Sequence, residues 1–366
     1  MKIGIDAREF FSGKKTGIGR YLWHFLQCAT ASDHPHEYVL FCNQDTQVPL
    51  NHPKLKSVVI QERITWVWDQ IQLPLNIARE KIDVLLTPYF KAPIFSSSFI
   101  VLIINDVMPL LFPEESGAFR RLYFKLMLGI AVRRAAKIMT ISENSRDDIV
   151  RIFKVPAEKI RVVHLGVEEK FRSPEMSTEQ IRRKYALPQK FILYVGNLKP
   201  HKNVQCLIEA YEALPAQMKE EYRLVLGAPR SDKYFPDIEK IVREKKLAHQ
   251  ILFTGFIEEK DLPSLYHMSS LFVFPSLYEG FGLPPLEAMA CGCPVVSSNT
   301  SSMPEVLGDA ALFFNPYDIE EMSLAIRKML EDEDLRKKYR QKGLARVKLF
   351  TPEKMTNKIL DVLKRV

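Results

Sequence analysis

Thirteen short apolar runs, separated by longer amphipathic stretches, leave this chain few folds to choose from. In the first half they are Ile3–Asp6, Tyr38–Cys42, Ser57–Ile60, Asp83–Thr87, Phe99–Ile104, Ala136–Ile141 and Ile160–His164. In the second half they are Phe191–Gly196, Tyr222–Gly227, Ile251–Thr254, Leu271–Phe274, Pro294–Ser297 and Ala311–Phe314. Runs this short and continuously apolar suit strands buried on both faces of a parallel sheet. The helical stretches between them make repeated strand–helix–strand units, which predicts α/β domains with open, doubly wound parallel sheets. The pattern occurs twice, and 366 residues accommodate two domains at ~100–200 residues each. The pattern breaks at Phe171-Arg172-Ser173-Pro174, so the boundary falls near 170–177. This divides the chain into an N-terminal domain, 1–172, and a C-terminal domain, 173–345. In the tail, 346–366, Thr351 can cap a helix that has Pro352 in its first turn. That helix either crosses back to the N-terminal domain or lies on its own. Two domains of this type are expected to face a cleft at the carboxyl ends of both sheets, where open parallel sheets bind ligands near helix N-termini.

Composition narrows the function classes. Five cysteines, with Cys291 and Cys293 as the only close pair, make neither a disulfide framework nor a zinc site, so a reducing, cytoplasmic compartment is expected. The most apolar stretch, 99–104, is far shorter than the ~20 residues of a membrane span, and Met1 leads directly into a strand rather than a signal peptide. Net charge is +8, which suits a phosphorylated ligand, an anionic membrane or nucleic acid. The excess is +5 over residues 1–170 and +3 over the rest, so it forms no single basic block, and no nucleic-acid partner is expected.

The strongest motif follows the run Leu271–Phe274. It reads Ser276-Leu-Tyr-Glu279-Gly280-Phe281-Gly282-Leu283-Pro284-Pro285-Leu286-Glu287 and ends at Gly292. Gly280 and Gly282 let backbone approach a ligand closely, the prolines fit the first turn of a helix, and Gly292 fits its end. Glu279 then lies in the loop and Glu287 about one turn into the helix. The two carboxylates can reach different ends of an extended ligand, with exposed amides between them, as a nucleotide sugar requires. A helix start whose dipole favours an acid is the simpler reading of Glu287 taken alone. Lys202, in the polar loop after Phe191–Gly196, is either a solvated cation or a counter-charge for a diphosphate.

The spacing Glu279-x7-Glu287 resembles the signature of the family-4 retaining glycosyltransferases, glycosyl transferases group 1. Thr16-Gly17-Ile-Gly19-Arg20 resembles that family's glycine loop, Ser142-Glu-Asn-Ser145 a helix start, and Val163-His-Leu-Gly166 through Phe171 the segment before its linker. Gly196 through Pro200-His201-Lys202-Asn203 and Phe253-Thr-Gly255-Phe256 resemble two further elements of the second domain. The resemblance implies the GT-B fold, two Rossmann-like domains facing a cleft. It also implies transfer of a sugar from a nucleoside diphosphate with retention, the departing diphosphate helping to deprotonate the acceptor. Glu279 would orient the sugar, Glu287 hold the ribose hydroxyls and Lys202 stabilise the diphosphate. Amides near Phe281–Leu283 would add hydrogen bonds, and Gly255, Phe256 and Ile257 would line the base. Gly17 and Gly19 would face the donor from the other domain, as a flexible loop. His201 stands where the family commonly has Arg, and Asn105 where it has a His that contacts the donor sugar, so a titrating base is lost there. The opening Gly4-Ile-Asp-Ala-Arg8 with Thr16–Tyr21 looks most like mannosyltransferases of surface polysaccharide assembly. That makes GDP-mannose the first choice of donor, a UDP-sugar the alternative, and a glycan or lipid-linked molecule the acceptor.

Other features keep two readings. Asp106 is a donor-site residue or a helix cap. Asp6 and Arg8 read best as an internal ion pair. Trp66–Trp68 is an acceptor platform or core. The stretch 117–137 carries six basic residues and no acid, and is a solvated basic face or a helix for an anionic membrane. Asp332-Glu-Asp334 has metal-binding spacing but sits in a charged helical run, so no metal cofactor is expected. A same-fold epimerase or phosphorylase and a non-catalytic membrane-surface module are the competing functions.

Overall fold

The computed structural model describes residues 1–10, 17–172 and 178–366. It divides into two units, residues 1–166 with 352–366, and residues 167–351. All thirteen apolar runs are strands, all paired in parallel. In the first unit β1 (Lys2–Asp6), β2 (Glu37–Cys42), β3 (Leu55–Val59), β4 (Val84–Thr87), β5 (Phe99–Ile103), β6 (Lys137–Thr140) and β7 (Ile160–Val162) stand in the order β3-β2-β1-β4-β5-β6-β7. The central strands β1, β4 and β5 have nearly every residue buried, which explains why their sequences show no polar alternation. The edge strand β3 is mostly exposed and mixes Lys56 and Ser57 into its run.

In the second unit β8 (Phe191–Val195), β9 (Arg223–Gly227), β10 (Ile251–Phe253), β11 (Leu271–Phe274), β12 (Val295–Ser298) and β13 (Leu312–Phe314) stand in the order β10-β9-β8-β11-β12-β13. Chain order therefore reverses at β8, which pairs with both β9 and β11. In the first unit it reverses at β1, between β2 and β4. Such a reversal opens a crevice at the carboxyl ends of the two strands, because the connections on either side leave in opposite directions.

The unit boundary differs from the expected 172/173. Residues 167–172 belong to the second unit, where Phe171 is fully buried, 6.2 Å from the Tyr266 ring, and its carbonyl accepts from Cys291 Sγ at 3.0 Å. The helix Pro352–Leu363 belongs to the first unit. Its Met355, Ile359, Leu360 and Leu363 are buried in one cluster with Leu22, Phe25, Leu26 and Ala29 of the helix Gly17–Ala31. Each such aliphatic side chain contributes about 1.5–3 kcal/mol on burial, enough to hold a twelve-residue helix with a proline start. No described helix is long and apolar enough to cross a membrane.

Candidate functional site

The loops after β8 and β11 meet at the reversal of the second sheet. After β8 the Tyr194 hydroxyl donates to the Asn197 carbonyl at 2.6 Å, and the Leu198 amide donates to Asp232 at 2.9 Å. A short 3-10 turn, Pro200–Lys202, follows and ends at Asn203, whose φ is +58°. Asn tolerates that left-handed backbone, and its side chain makes use of it. Asn203 Nδ2 donates to the carbonyls of Pro275 at 3.2 Å and Pro316 at 2.8 Å, tying the loops after β8, β11 and β13 together. The Leu277 amide donates to the His201 carbonyl at 2.8 Å. His201 itself is buried, so its backbone serves as a joint between two loops.

These ties bring Lys202 Nζ to 2.5 Å from Glu279 Oε1, with both side chains close to nine-tenths buried. The ammonium also lies 5.6 Å from the Phe274 ring centroid. Among the described residues, Lys202 is the only group that hydrogen-bonds the Glu279 carboxylate. The Glu279 backbone is fixed separately by two serines from the loop after β12. Ser301 Oγ accepts from the Glu279 amide at 3.1 Å and donates to its carbonyl at 2.7 Å. Ser302 Oγ donates to the carbonyls of Glu279 at 3.0 Å and Phe281 at 3.1 Å. An acidic side chain is thus aimed by hydrogen bonds to its own main chain, leaving its carboxylate to meet one cation.

Gly282, with φ +92°, starts the helix Leu283–Ala290. A Cβ there would lie 2.2 Å from Met303 Cε, a flexible side-chain end that can move aside, so it is the backbone conformation that requires glycine. Gly280 and Phe281 are buried, and the Phe281 ring packs edge-on against Phe350 at 5.7 Å. Pro284 and Pro285 have no N–H, so in the first turn of this helix Leu283 carries the amide without an intrahelical partner, next to the loop that carries Glu279. Glu287 lies one turn in, almost wholly buried, with the Tyr266 hydroxyl donating to its Oε2 at 3.4 Å. The nearby thiols are inert packing groups, since burial pushes Cys293 up to about 12 and raises Cys291 further. After β10, Gly255 has φ +76°, Phe256 is 71% exposed and Ile257 is buried. Of those three, Phe256 is the side chain presented to solvent; Ile257 packs where a Gly227 Cβ would be.

The first unit departs further from expectation. Gly17 and Gly19 do not form a loop. They begin the fifteen-residue helix Gly17–Ala31, because Gly-Ile-Gly leads without interruption into an amphipathic helix. Thr16, quoted with them, lies outside the described residues. Asn105 is half-buried in the loop after β5. Its neighbour Asp106 accepts from the Met108 amide at 2.9 Å, an Asx turn just ahead of the short helix Met108–Leu111, whose N-cap is Val107.

Asp6 and Arg8 are part of a larger buried network. The Arg8 guanidinium reaches Asp6 at 2.7 Å, Asp69 at 2.7 Å and Glu62 at 3.2 Å, and Lys91 reaches Asp69 at 2.6 Å. Burial opposes the charge on Arg8, but Asp6 and Asp69 outweigh it and hold the guanidinium protonated. Trp68 is fully buried beneath Arg8, 3.7 Å from ring centroid to guanidinium, and donates to the Ile60 carbonyl; only Trp66 of the pair is exposed. Asp332 caps the helix Glu333–Val347 through the Leu335 amide at 2.8 Å, which accounts for the Asp332-Glu-Asp334 run as helix-start chemistry.

Asn203, Ser301, Ser302 and Tyr266 were not singled out from sequence. For Ser301 and Ser302 the one signal was position, in the polar stretch after the run Pro294–Ser297; Asn203 entered only as the last residue of the Gly196–Asn203 segment, and Tyr266 had no signal.

Comparison with known proteins agrees with this geometry. Residues 15–171 match the model of Glycosyltransferase Family 4, and residues 177–346 that of Glycosyl transferases group 1. The chain is 36% identical over 265 residues to O-antigen chain mannosyltransferase B of Escherichia coli, covering 71% of this chain and 68% of that protein. It is 34% identical over 258 residues to the serotype-specific mannosyltransferase WbdA of Escherichia coli, covering 69% of this chain but only 31% of that longer protein. Sucrose-phosphate synthase from Thermosynechococcus elongatus superposes with a TM-score of 0.79 at 19% identity, over 100% of this chain and 98% of that one. Anabaena HepE in complex with UDP and glucose superposes with a TM-score of 0.77 at 18% identity, over 100% of both chains. Two all-parallel α/β units in this order and the match along both halves make the chain a GT-B protein and a member of the group 1, family-4 glycosyltransferases.

Proposed function

We propose that the protein transfers a hexose, mannose from GDP-mannose, to a glycan or lipid-linked acceptor in surface polysaccharide synthesis, with retention at the anomeric carbon. The observation that carries this reading is the Lys202–Glu279 contact of 2.5 Å at the reversal of the second sheet, beside the helix start at Gly282. An ammonium and a carboxylate this close neutralise each other while the site holds no donor. A diphosphate at the helix start offers Lys202 a second anionic partner and places positive charge where the leaving group develops negative charge. Glu279 then accepts hydrogen bonds from hydroxyls of the sugar, while Glu287, further along the helix, meets the ribose. The amides at Phe281–Leu283 face the diphosphate, His201 shapes that loop, and Gly255–Ile257 with the exposed Phe256 ring line the base. Asn105 contributes a hydrogen bond without titrating, so the proton of the acceptor hydroxyl passes to the departing diphosphate, in the front-side scheme that retention calls for. The counter-charge is supplied by Lys202 and backbone amides, and no metal step is needed.

Two mannosyltransferases among the relatives favour mannose, and a UDP-sugar is the alternative donor. A lipid-linked acceptor places the reaction on the cytoplasmic face of a membrane. A thermal-shift screen of nucleotides and nucleotide sugars tests the donor, since ligands that bind only the folded state raise its midpoint. GDP and GDP-mannose should raise it most. A larger shift with UDP and a UDP-sugar would reassign the donor, and no shift with any nucleotide would refute the site.

A further inference from the structure

The helix Ala118–Arg134 turns an apolar stripe outward. Phe119 is 85% exposed, Leu122 56%, Tyr123 40%, Leu126 58% and Ile130 42%. Their spacing, i, i+3, i+4, i+7 and i+11, puts all five on one face. The opposite face is apolar as well, with Leu128, Ala131 and Val132 buried in a cluster against β5 and β6. A helix needs only one such face to hold it to its domain; of the outer stripe, Tyr123 meets the Phe90 ring edge-on at 6.2 Å, while Phe119, Leu122, Leu126 and Ile130 stand open to solvent.

Charge surrounds the stripe in one sign. From 117 to 137 there are six basic residues and no acid, the nearest acids being Glu114 and Glu115 in the turn before the helix. Arg120 and Lys125 flank the stripe and, among the described residues, form no ion pair. Arg133 donates to the Gly129 carbonyl at 2.8 Å, and Arg134 to the Ile94 carbonyl at 2.8 Å. Carbonyl partners fix those side chains and leave their charge uncompensated. The Arg134 bond also draws in the loop that carries Phe95, 82% exposed, and Ile94 and Ala92 of that loop are hydrogen-bonded to Gln70. The apolar surface therefore extends beyond one helix end and is held in place.

We propose that this surface is a docking face for an anionic lipid bilayer, the stripe entering the acyl boundary and the flanking cations meeting the headgroups. A protein partner would be expected to answer the stripe, but a ring of uncompensated cations around exposed aromatic and aliphatic side chains matches an anionic interface. The proposal rests on this surface alone and stands apart from the assignment of donor and acceptor.

Co-sedimentation of the full chain with vesicles tests it, in the absence of any nucleotide sugar. Vesicles containing phosphatidylglycerol should retain the protein, pure phosphatidylcholine should not, and high salt should weaken the retention. Joint replacement Arg120→Ala and Lys125→Ala should weaken partitioning about 30-fold, from about 1 kcal/mol per cation. Joint replacement Leu122→Glu and Leu126→Glu should abolish it, with an unchanged melting midpoint showing an intact fold. No binding by the parent chain, equal binding to both vesicle types, or retained binding by the Leu122→Glu, Leu126→Glu chain would each overturn the proposal. So would a parent chain that sediments as a dimer and becomes monomeric on the Leu→Glu changes, which would show that a second copy covers the stripe.

Discussion

Both sheets gather charged side chains at the strand ends where chain order reverses, and the two units use them in opposite ways. After β1, Arg8 is surrounded by Asp6, Asp69 and Glu62, with Lys91 completing the network and Trp68 stacked beneath. Its charge is spent on holding the strand end to the helical segment that contains Asp69. After β8 and β11, the loops are held by hydrogen bonds to backbone, made by Asn203, Ser301 and Ser302 and by Asp232, which accepts from the Leu198 amide. Lys202 and Glu279 are left with each other as charged partners. A charge built into a saturated network maintains structure; a charge whose one partner can be exchanged is available to a ligand. Variants should therefore separate stability from function.

The largest effect expected from breaking this contrast is at Arg8. Arg8→Met leaves Asp6 and Asp69 buried without their main cation, which should lower unfolding stability by about 3–5 kcal/mol, measured by urea denaturation. Nucleotide affinity of the folded fraction should stay near parental. Little loss of stability would show that the network is not what holds this strand end.

Glu279→Ala is the mirror experiment. Turnover of the nucleotide sugar should fall ~100-fold or more, about the loss of one strong electrostatic contact in the transition state. The melting midpoint should barely move, because the Ser301 and Ser302 bonds grip main chain that the substitution keeps. Half the parental turnover would remove Glu279 from the site. Gly282→Ala combines the two effects on a smaller scale. A φ of +92° should cost about 1–3 kcal/mol in a residue with a Cβ and shift the helix start, weakening nucleotide binding together with stability. Chelation should do least. Excess EDTA should leave donor cleavage unchanged, and loss restored by Mg²⁺ or Mn²⁺ would show that the diphosphate counter-charge is a metal rather than Lys202.

Much of this contrast was legible from the residues. The strands were legible because fully buried parallel strands carry unbroken apolar runs, and the loop at 276–287 because glycine, proline and acid each mark a distinct backbone requirement there. The groups that aim Glu279 were not. Ser301, Ser302 and Asn203 each make two hydrogen bonds to main-chain groups distant in sequence, and a polar residue in a loop has no periodicity to betray such partners. Gly17 and Gly19 misled in the other direction, since two glycines near a strand end read as a flexible turn while the following helix absorbs them. The Pro174 break marks a change of pattern, but the packing of Phe171 against Tyr266 puts the unit boundary several residues earlier. The stretch 117–137 was readable as a basic helix, solvated or facing an anionic membrane, but not which of its apolar residues turn outward, because an apolar residue in sequence does not say which face it joins.

Calorimetric titration of GDP into the intact chain and two variants tests the central claim, that Lys202 and Glu279 form an exchangeable pair awaiting a diphosphate. Lys202→Ala removes the cation and should weaken GDP binding about tenfold or more, one charge-assisted hydrogen bond being worth roughly 1.5–3 kcal/mol. Glu279→Ala removes the carboxylate that competes for that cation, so GDP should bind as tightly as to the parent or more tightly, even though turnover is lost. Equal weakening by both substitutions, or no effect of Lys202→Ala, would contradict the account.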